Sequence, residues 1–309
     1  MRVQPFNGGA LPALNAVLQS IESARNTRAM YLLTLAFASS AWLLTLAQAA
    51  LGRETGWLAA LWFGLAFFAL FDGTNAAGLM LMDEARGLPS REPLDALRDA
   101  LGLAHRLLAV VAVVLVLALL VGGLALALLW ACRLPVVGTA LLGVTVALMV
   151  PLLGLVALTL VALVGPVAAP AVWAGLSARA TLALLMRHAR RRFAHTLLLS
   201  AAVSLLTAAV AGGVSFVVLA GGRAVLNLAV LAAGVDIAPD PFMTALFGQG
   251  LRQAPGAAAL STQTAAARTG AGAVLALGLV VPGVIYLRGL SEMFLALCGV
   301  DESPPEIQP

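Results

Sequence analysis

The sequence predicts an all-α polytopic membrane protein with six transmembrane helices, from its composition and its apolar segments. Of its 309 residues, 61% are hydrophobic and only 10% are charged, whereas an average soluble domain has about 25% charged residues. Mean hydropathy is +1.01. A helix that crosses a bilayer needs about 20 apolar residues. The segments that meet this length are residues 30–51, 57–82, 107–130, 137–164, 197–220 and 270–287.

Three amphipathic segments precede the first, third and fifth spans. Each carries apolar residues at helical spacing on one face, ends in arginine and continues directly into a span. We therefore expect interfacial helices that lie on the bilayer and then bend into it. The residues on these faces are Leu11, Leu14, Leu18 and Ile21 in the first segment, Leu94, Leu97 and Leu101 in the second, and Trp173, Leu176, Ala180 and Leu184 in the third.

The chain is accordingly interpreted as a threefold repeat of interfacial helix, span, short turn and span. The repeat units are residues 8–88, 89–169 and 170–302, which together form one membrane domain. Residues 303–309 form a short tail. A short apolar run between the last two spans, residues 224–233, is too brief to cross and is expected at the membrane surface.

The distribution of arginines predicts the orientation. All 18 basic residues are arginines, and 13 of them lie at the N-terminus, before spans three and five, or at Arg288. Since basic residues accumulate on the cytoplasmic side, we expect both termini in the cytoplasm of a bacterium, with the protein in its inner membrane. The remaining five are expected outside; they are Arg53, Arg133, Arg223, Arg252 and Arg268.

Signatures of catalysis and of cofactor or metal binding are missing from the sequence. The chain has no lysine, which excludes a P-loop and Schiff-base chemistry, and it has no Gly-x-Ser-x-Gly. Cys132 and Cys298 are expected on opposite sides of the membrane, so no disulfide is predicted. His105, His188 and His195 lack partners at metal-binding spacing. We therefore expect no enzyme activity, no cofactor, no metal and no nucleic-acid partner.

Two motifs of the third repeat unit point to a known family. A basic run ending in Arg192-Phe193 joins the amphipathic segment to the fifth span. The sixth span carries Pro282, Gly283, Tyr286 and Arg288. In this order the motifs resemble the six-span membrane domain of glycerophosphodiester phosphodiesterases and of related bacterial membrane proteins of unknown function. The catalytic domain of that family has no counterpart in these residues, so the resemblance implies a membrane scaffold and no catalytic residue.

Asp72 interrupts the second span with a carboxylate. When the first and third repeat units are aligned, Asp72-Gly73 falls on Arg288-Gly289. A charge at this depth is costly unless it is paired or hydrated. Two interpretations stay open: a proton or substrate site, or a structural charge that pairs with Arg288. Glu292, one helical turn after Arg288, would compete for the same arginine. We adopt the Asp72–Arg288 pair as the prediction.

A basic cluster precedes the fifth span, and it has two interpretations. Arg187, Arg190, Arg191 and Arg192 follow one another within six residues of sequence. Such a cluster contacts anionic lipid headgroups in many membrane proteins. The alternative is that these arginines only determine topology.

The fifth span carries a face of small residues. Ser200, Ser204, Ala208 and Gly212 are spaced four residues apart, and such a face lets a neighbouring helix approach closely. In the sixth span, Pro282 is expected to kink the helix.

The leading functional prediction is a non-enzymatic inner-membrane scaffold or accessory subunit. It would pack laterally against a partner protein or itself, with membrane lipids around it. The alternative is a transporter or lipid-handling protein with a cavity between repeat units, lined by Asp72, Arg288 and Glu292. A hydrated cavity at Asp72 would favour the alternative, and tight packing there would favour the scaffold.

Overall fold

A computed structural model describes Leu18, Ser20 and residues 25–89, 91–133, 138–233 and 262–298, and the regular structure in this part of the chain is helical. The six predicted spans are confirmed: six of its helical stretches are long and apolar enough to cross a membrane. The helices are α1 Thr27–Gly52, α2 Gly56–Ala85, α3 Pro93–Ala131, α4 Gly138–Thr159, a π-helix Leu160–Val164, α5 Gly165–Trp173, α6 Ala178–Arg191, α7 Phe193–Ala233, α8 Thr262–Gly278 and α9 Val280–Cys298.

Two helices are longer than the sequence predicted. The second interfacial helix was expected to be separate from its span, but it forms the first turns of α3, which runs unbroken for 39 residues. The run 224–233 was expected at the surface, but it continues α7, which has 41 residues. At 1.5 Å per residue each helix is about 60 Å long, twice the roughly 30 Å of a bilayer core. Alanine and leucine around the first expected break favour helix. At the second, Gly221 and Gly222 disfavour helix but do not stop it, and no proline lies at either break.

The third amphipathic segment forms a separate helix, α6, which is shorter than predicted. It begins at Ala178, after a turn in which Gly175 has a φ of 93°, and the Ser177 side chain caps it by accepting from the Ala180 N–H. Trp173 was predicted on its apolar face but instead ends α5, where it is buried. The first interfacial segment lies almost wholly outside the described residues.

The chain divides into two compact units, and α6 belongs to the unit that contains residues 101–202 and 290–309. Here α4 continues through the π-helix into α5, and α6 packs against both the π-helix and α5. Of the face predicted to lie in the bilayer, Leu184 is therefore covered by protein, whereas Leu176 is half-buried and Ala180 is exposed. The buried residues of α6 are Thr181, Leu184, Leu185 and His188. The two polar ones are tolerated because Thr181 donates to Ser177 O and His188 Nδ1 lies 3.0 Å from Leu184 O.

The second unit contains residues 18–100 and 203–289. Its centre is a tight antiparallel hairpin of α1 and α2. Buried residues recur at seven-residue spacing on both helices, as in a coiled coil. On α1 they form two series, Ala29, Ala36 and Ala50 in one and Leu33, Ser40 and Ala47 in the other. On α2 they form one series of Ala59, Ala66, Gly73 and Met80.

The sixth span is broken at Leu279, between α8 and α9. The cause is Pro282, whose ring is incompatible with a regular turn around the carbonyl of Gly278, four residues earlier. The expected distortion is therefore present. Just after the break, Gly283 packs on α1, since a Cβ there would lie 3.6 Å from Leu33 Cδ1.

Candidate functional site

Asp72 is buried inside the second unit. Only 4% of the residue is exposed, and its Oδ1 has no hydrogen-bond partner among the described residues. The two helices are in close contact at its neighbour Gly73, because a Cβ there would overlap Ala36 Cβ. Tight packing therefore surrounds a carboxyl group whose Oδ1 has neither a base nor a donor within the described part of the chain.

Arg288 does not pair with Asp72, so the predicted pair is wrong. Its Nη1 donates to Leu81 O at 3.0 Å and lies 3.9 Å from Glu84 Oε1. Leu81 is nine residues beyond Asp72, which is about 13 Å along the helix. Equivalent positions in a repeat alignment do not imply contact. The arginine instead contacts the last turns of α2, where the carbonyl ends of the helix dipole attract a cation.

Arg91, in the loop between α2 and α3, connects two carboxylates. Its Nε lies 2.6 Å from Asp83 Oδ2 and its Nη2 lies 3.2 Å from Asp83 Oδ1, an arrangement typical of a bidentate pair. Its Nη1 lies 2.7 Å from Asp99 Oδ2, in the second turn of α3. The side chain of Asp83 is 5% exposed and that of Arg91 is 34% exposed, so solvent screens this pair only in part.

The pKa of the Arg91 guanidinium is raised above its usual range. Burial alone would lower it, but the hydrogen bond and attraction to Asp83, followed by those to Asp99, outweigh burial. A raised pKa means that the arginine's contribution to stability is complete below its unfolded pKa and is lost only as pH rises through the folded value. The Arg91 contacts therefore persist across the whole neutral and moderately alkaline range.

Asn26 joins the start of α1 to the end of α2. Its Oδ1 accepts from the Ala29 N–H as the helix N-cap, and its Nδ2 donates to Glu84 Oε2. We call the set of Asn26, Asp83, Glu84, Arg91, Asp99 and Arg288 the polar cluster. All six residues belong to the second unit. The cluster joins the start of α1, the end of α2 and the start of α3 to the middle of α9.

Of the six members of this cluster, only Arg288 was predicted from the sequence as a site residue. Asn26, Asp83, Glu84, Arg91 and Asp99 were not. One signal pointed to the cluster: Asn26 is an N-cap residue type immediately before the first span. Because the two helices of a hairpin are antiparallel, a residue before α1 must lie beside the end of α2. Arg91 had no comparable signal, since its partners are decided by the loop conformation.

The other predicted site residues lie on α9, in and just after α6, and on α7. Glu292 lies on α9 one turn after Arg288, is half-buried and takes part in an interaction. In the basic cluster, Arg187, Arg190 and Arg191 are exposed, and Arg192 is half-buried.

On α7, Ser200 is buried, but Ser204, Ala208 and Gly212 are exposed. A Cβ on Gly212 would meet nothing within 4 Å. Within the described part of the chain, the outer three positions of this face therefore receive no helix.

A crevice of about 120 Å³ lies between α7 and the break in the sixth span. It is lined mainly by apolar side chains, with Ser215 as its polar contribution, and Asp72, Arg288 and Glu292 are not part of it. The described residues also contain no group of three His, Cys, Asp or Glu side chains placed to hold a metal ion.

The fold and this site define the class of the molecule as an all-α multi-pass membrane protein. No protein-family model matches the chain, and neither a curated protein nor a solved structure resembles it detectably. The resemblance to the phosphodiesterase membrane domains stays a prediction, and so does the division into three repeat units.

Proposed function

We propose that this chain is a non-enzymatic scaffold or accessory subunit that associates laterally, with a partner protein or with itself. The observation that carries the proposal is the open small-residue face of α7. Ser204, Ala208 and Gly212 leave a shallow groove on one side of a span. In a bilayer, such grooves drive helix association because they allow close backbone contact, whereas large apolar side chains pack equally well against lipid.

The second unit supports the same proposal. Asp72 is enclosed, the α1–α2 hairpin is closely packed at Gly73, and the polar cluster fastens the helix ends. A transport route needs a hydrated path with two alternative arrangements, and a scaffold needs a rigid body. We place this scaffold in the inner membrane of a bacterium, with both termini in the cytoplasm, on the arginine distribution.

The test places a large side chain on the small-residue face of α7. Gly212→Leu should abolish lateral association, measured as self-assembly or partner co-purification in mild detergent. Gly213→Leu is the matched control, because Gly213 is the next residue, is equally exposed and also has nothing within 4 Å of an added Cβ. Association that survives Gly212→Leu, or that both substitutions abolish equally, would contradict the proposal.

A second candidate, a transporter or lipid-handling protein, is favoured by one observation. Asp72 is an intramembrane carboxyl without a partner for Oδ1, and such residues frequently serve ion or proton pathways. The predicted lining of Asp72, Arg288 and Glu292 has no support, since Arg288 contacts Leu81 and Glu84 instead. Proton flux into proteoliposomes that Asp72→Asn abolishes would establish this candidate in place of the scaffold.

A further inference from the structure

Helix α6 has one face packed against protein and one face rich in arginine. Thr181, Leu184, Leu185 and His188 make up the buried face. On the other side Arg179, Arg187, Arg190 and Arg191 are exposed, and we call these four residues the arginine stripe. From the first to the last of them is 12 residues, or about 18 Å of helix. The basic cluster predicted from sequence shares three of these arginines, but it included the half-buried Arg192 and missed Arg179.

Nothing near this stripe in the sequence neutralises it. Residues 100–235 contain no aspartate or glutamate at all. This range includes α6, the π-helix and α5 against which it packs, and α7. Within the part of the chain that the structure describes, no ion pair joins the stripe to a carboxylate. Among the described residues, the four guanidinium groups therefore lie on one helix without a carboxylate partner.

The position of α6 decides which anion fits. A single residue, Arg192, separates the end of α6 from Phe193, where the membrane-crossing α7 begins. The stripe therefore lies at the level where a bilayer presents its headgroups. Met186 is 52% exposed beside Arg187, which gives the stripe an apolar contact of the kind that interfacial helices place among acyl chains.

From this placement, we infer that the arginine stripe of α6 is a binding site for the phosphate groups of anionic phospholipids. A guanidinium group donates two parallel hydrogen bonds to a phosphate, which gives a longer-lived contact than a diffuse charge. The inference is independent of lateral association through α7. A lipid-binding site differs from a topology signal, because a topology signal requires no particular lipid once the protein has inserted.

The experiment uses the delipidated full chain in neutral detergent. Phosphatidylglycerol or phosphatidylcholine is added in mixed micelles, and two readouts are taken: the thermal midpoint and the number of lipids retained in native mass spectrometry. Phosphatidylglycerol should raise the midpoint and be retained, and phosphatidylcholine should do neither. The rise should shrink with added salt, because the contact is ionic.

Variants locate the site. The triple variant R187Q/R190Q/R191Q should bind phosphatidylglycerol about fivefold more weakly for each arginine removed. The matched control R53Q/R133Q/R223Q removes the same charge from three other exposed arginines and should bind like the original chain. R187K/R190K/R191K keeps the charge but loses the bidentate geometry, so it should fall between the two.

Three results would overturn the inference. The first is retention of phosphatidylcholine equal to that of phosphatidylglycerol, and the second is a control triple that loses as much binding as the stripe triple. The third is a rise of the midpoint with inorganic phosphate as large as that with the lipid, which would indicate a soluble anion as the ligand. The salt dependence of the unmodified chain tests the ionic contact even if a variant fails to fold.

Discussion

The two halves of helix α2 have opposite surroundings: the first faces lipid and the second is buried in protein. In residues 56–71, Ala59 and Ala66 are the buried positions, whereas residues 72–83 are buried at every position except Thr74. The first half carries the exposed aromatic rings of Trp57, Phe67 and Phe68, and the second half has no aromatic residue. In a soluble protein the large apolar residues would be inside. Here they face lipid, because lipid is as apolar as a protein core and only small residues allow close helix contact.

The difference between the halves also explains where polar groups are found. The buried half contains Asp72, Asn75 and Asp83, whereas the lipid-facing half contains no charged residue. A polar group in lipid would cost several kcal/mol, whereas inside protein it can be bonded. Asp83 is bonded to Arg91, and Asn75 Nδ2 donates to Phe71 O. Asp72 is the exception, because its Oδ1 has no bonding partner among the described residues. Three substitutions test which contacts stabilise the buried half.

The largest effect is expected from Arg91→Gln, which leaves Asp83 as a buried carboxylate with its charge unpaired. We expect a loss of about 2–4 kcal/mol in unfolding free energy, somewhat below the range for a fully buried pair because Arg91 is partly exposed. Denaturant titration of the solubilised protein measures it. Arg98→Gln is the control, since its 3.9 Å contact with Asp95 is well exposed and should contribute under about 1 kcal/mol. Equal losses in the two variants would show that the Arg91 contacts are incidental.

Gly73→Ala is expected to have the next largest effect. The new methyl group would overlap Ala36 Cβ, and neither atom lies at the end of a flexible side chain, so the two helices must separate. Overpacking of this kind costs about 1–3 kcal/mol. Gly64→Ala, in the lipid-facing half of the same helix, meets nothing within 4 Å and should leave the thermal midpoint unchanged or raise it through better helix propensity. A similar midpoint for both variants would mean that the hairpin is less closely packed than described.

The smallest effect is expected from Asp72→Asn. Asp72 and Asp83 are each 4% exposed on the same helix, so burial is matched and only the partner differs. Asp83→Asn removes a charge that Arg91 binds and should destabilise the protein clearly. Asp72→Asn removes a carboxyl group whose Oδ1 is unbonded and should leave stability unchanged or slightly higher. A large loss on Asp72→Asn would reveal a stabilising contact at this carboxyl group.

The spans were predictable because hydropathy and length depend only on local sequence. The small-residue series of the hairpin was also visible in the sequence, at the seven-residue spacing of Ala59, Ala66 and Gly73. The Asp72–Arg288 pair was predicted wrongly because a repeat alignment says which positions correspond, not which side chains meet. The continuation of α3 through its amphipathic start was missed because an amphipathic pattern is compatible with a surface helix and with an extended span.

The sequence by itself determined that this chain is helical, that it crosses a membrane six times and which segments cross. The reason is that an unbonded backbone in lipid is prohibitively costly, so an apolar segment of this length that spans a bilayer forms a helix. Only the tertiary structure decided that Asp83 meets Arg91, that Arg288 reaches Leu81 and Glu84, and that Asp72 meets neither. The physical reason is that lipid and protein interior are almost equally apolar. Hydropathy therefore does not specify how a helix is rotated, and rotation is what selects the partner of each polar side chain.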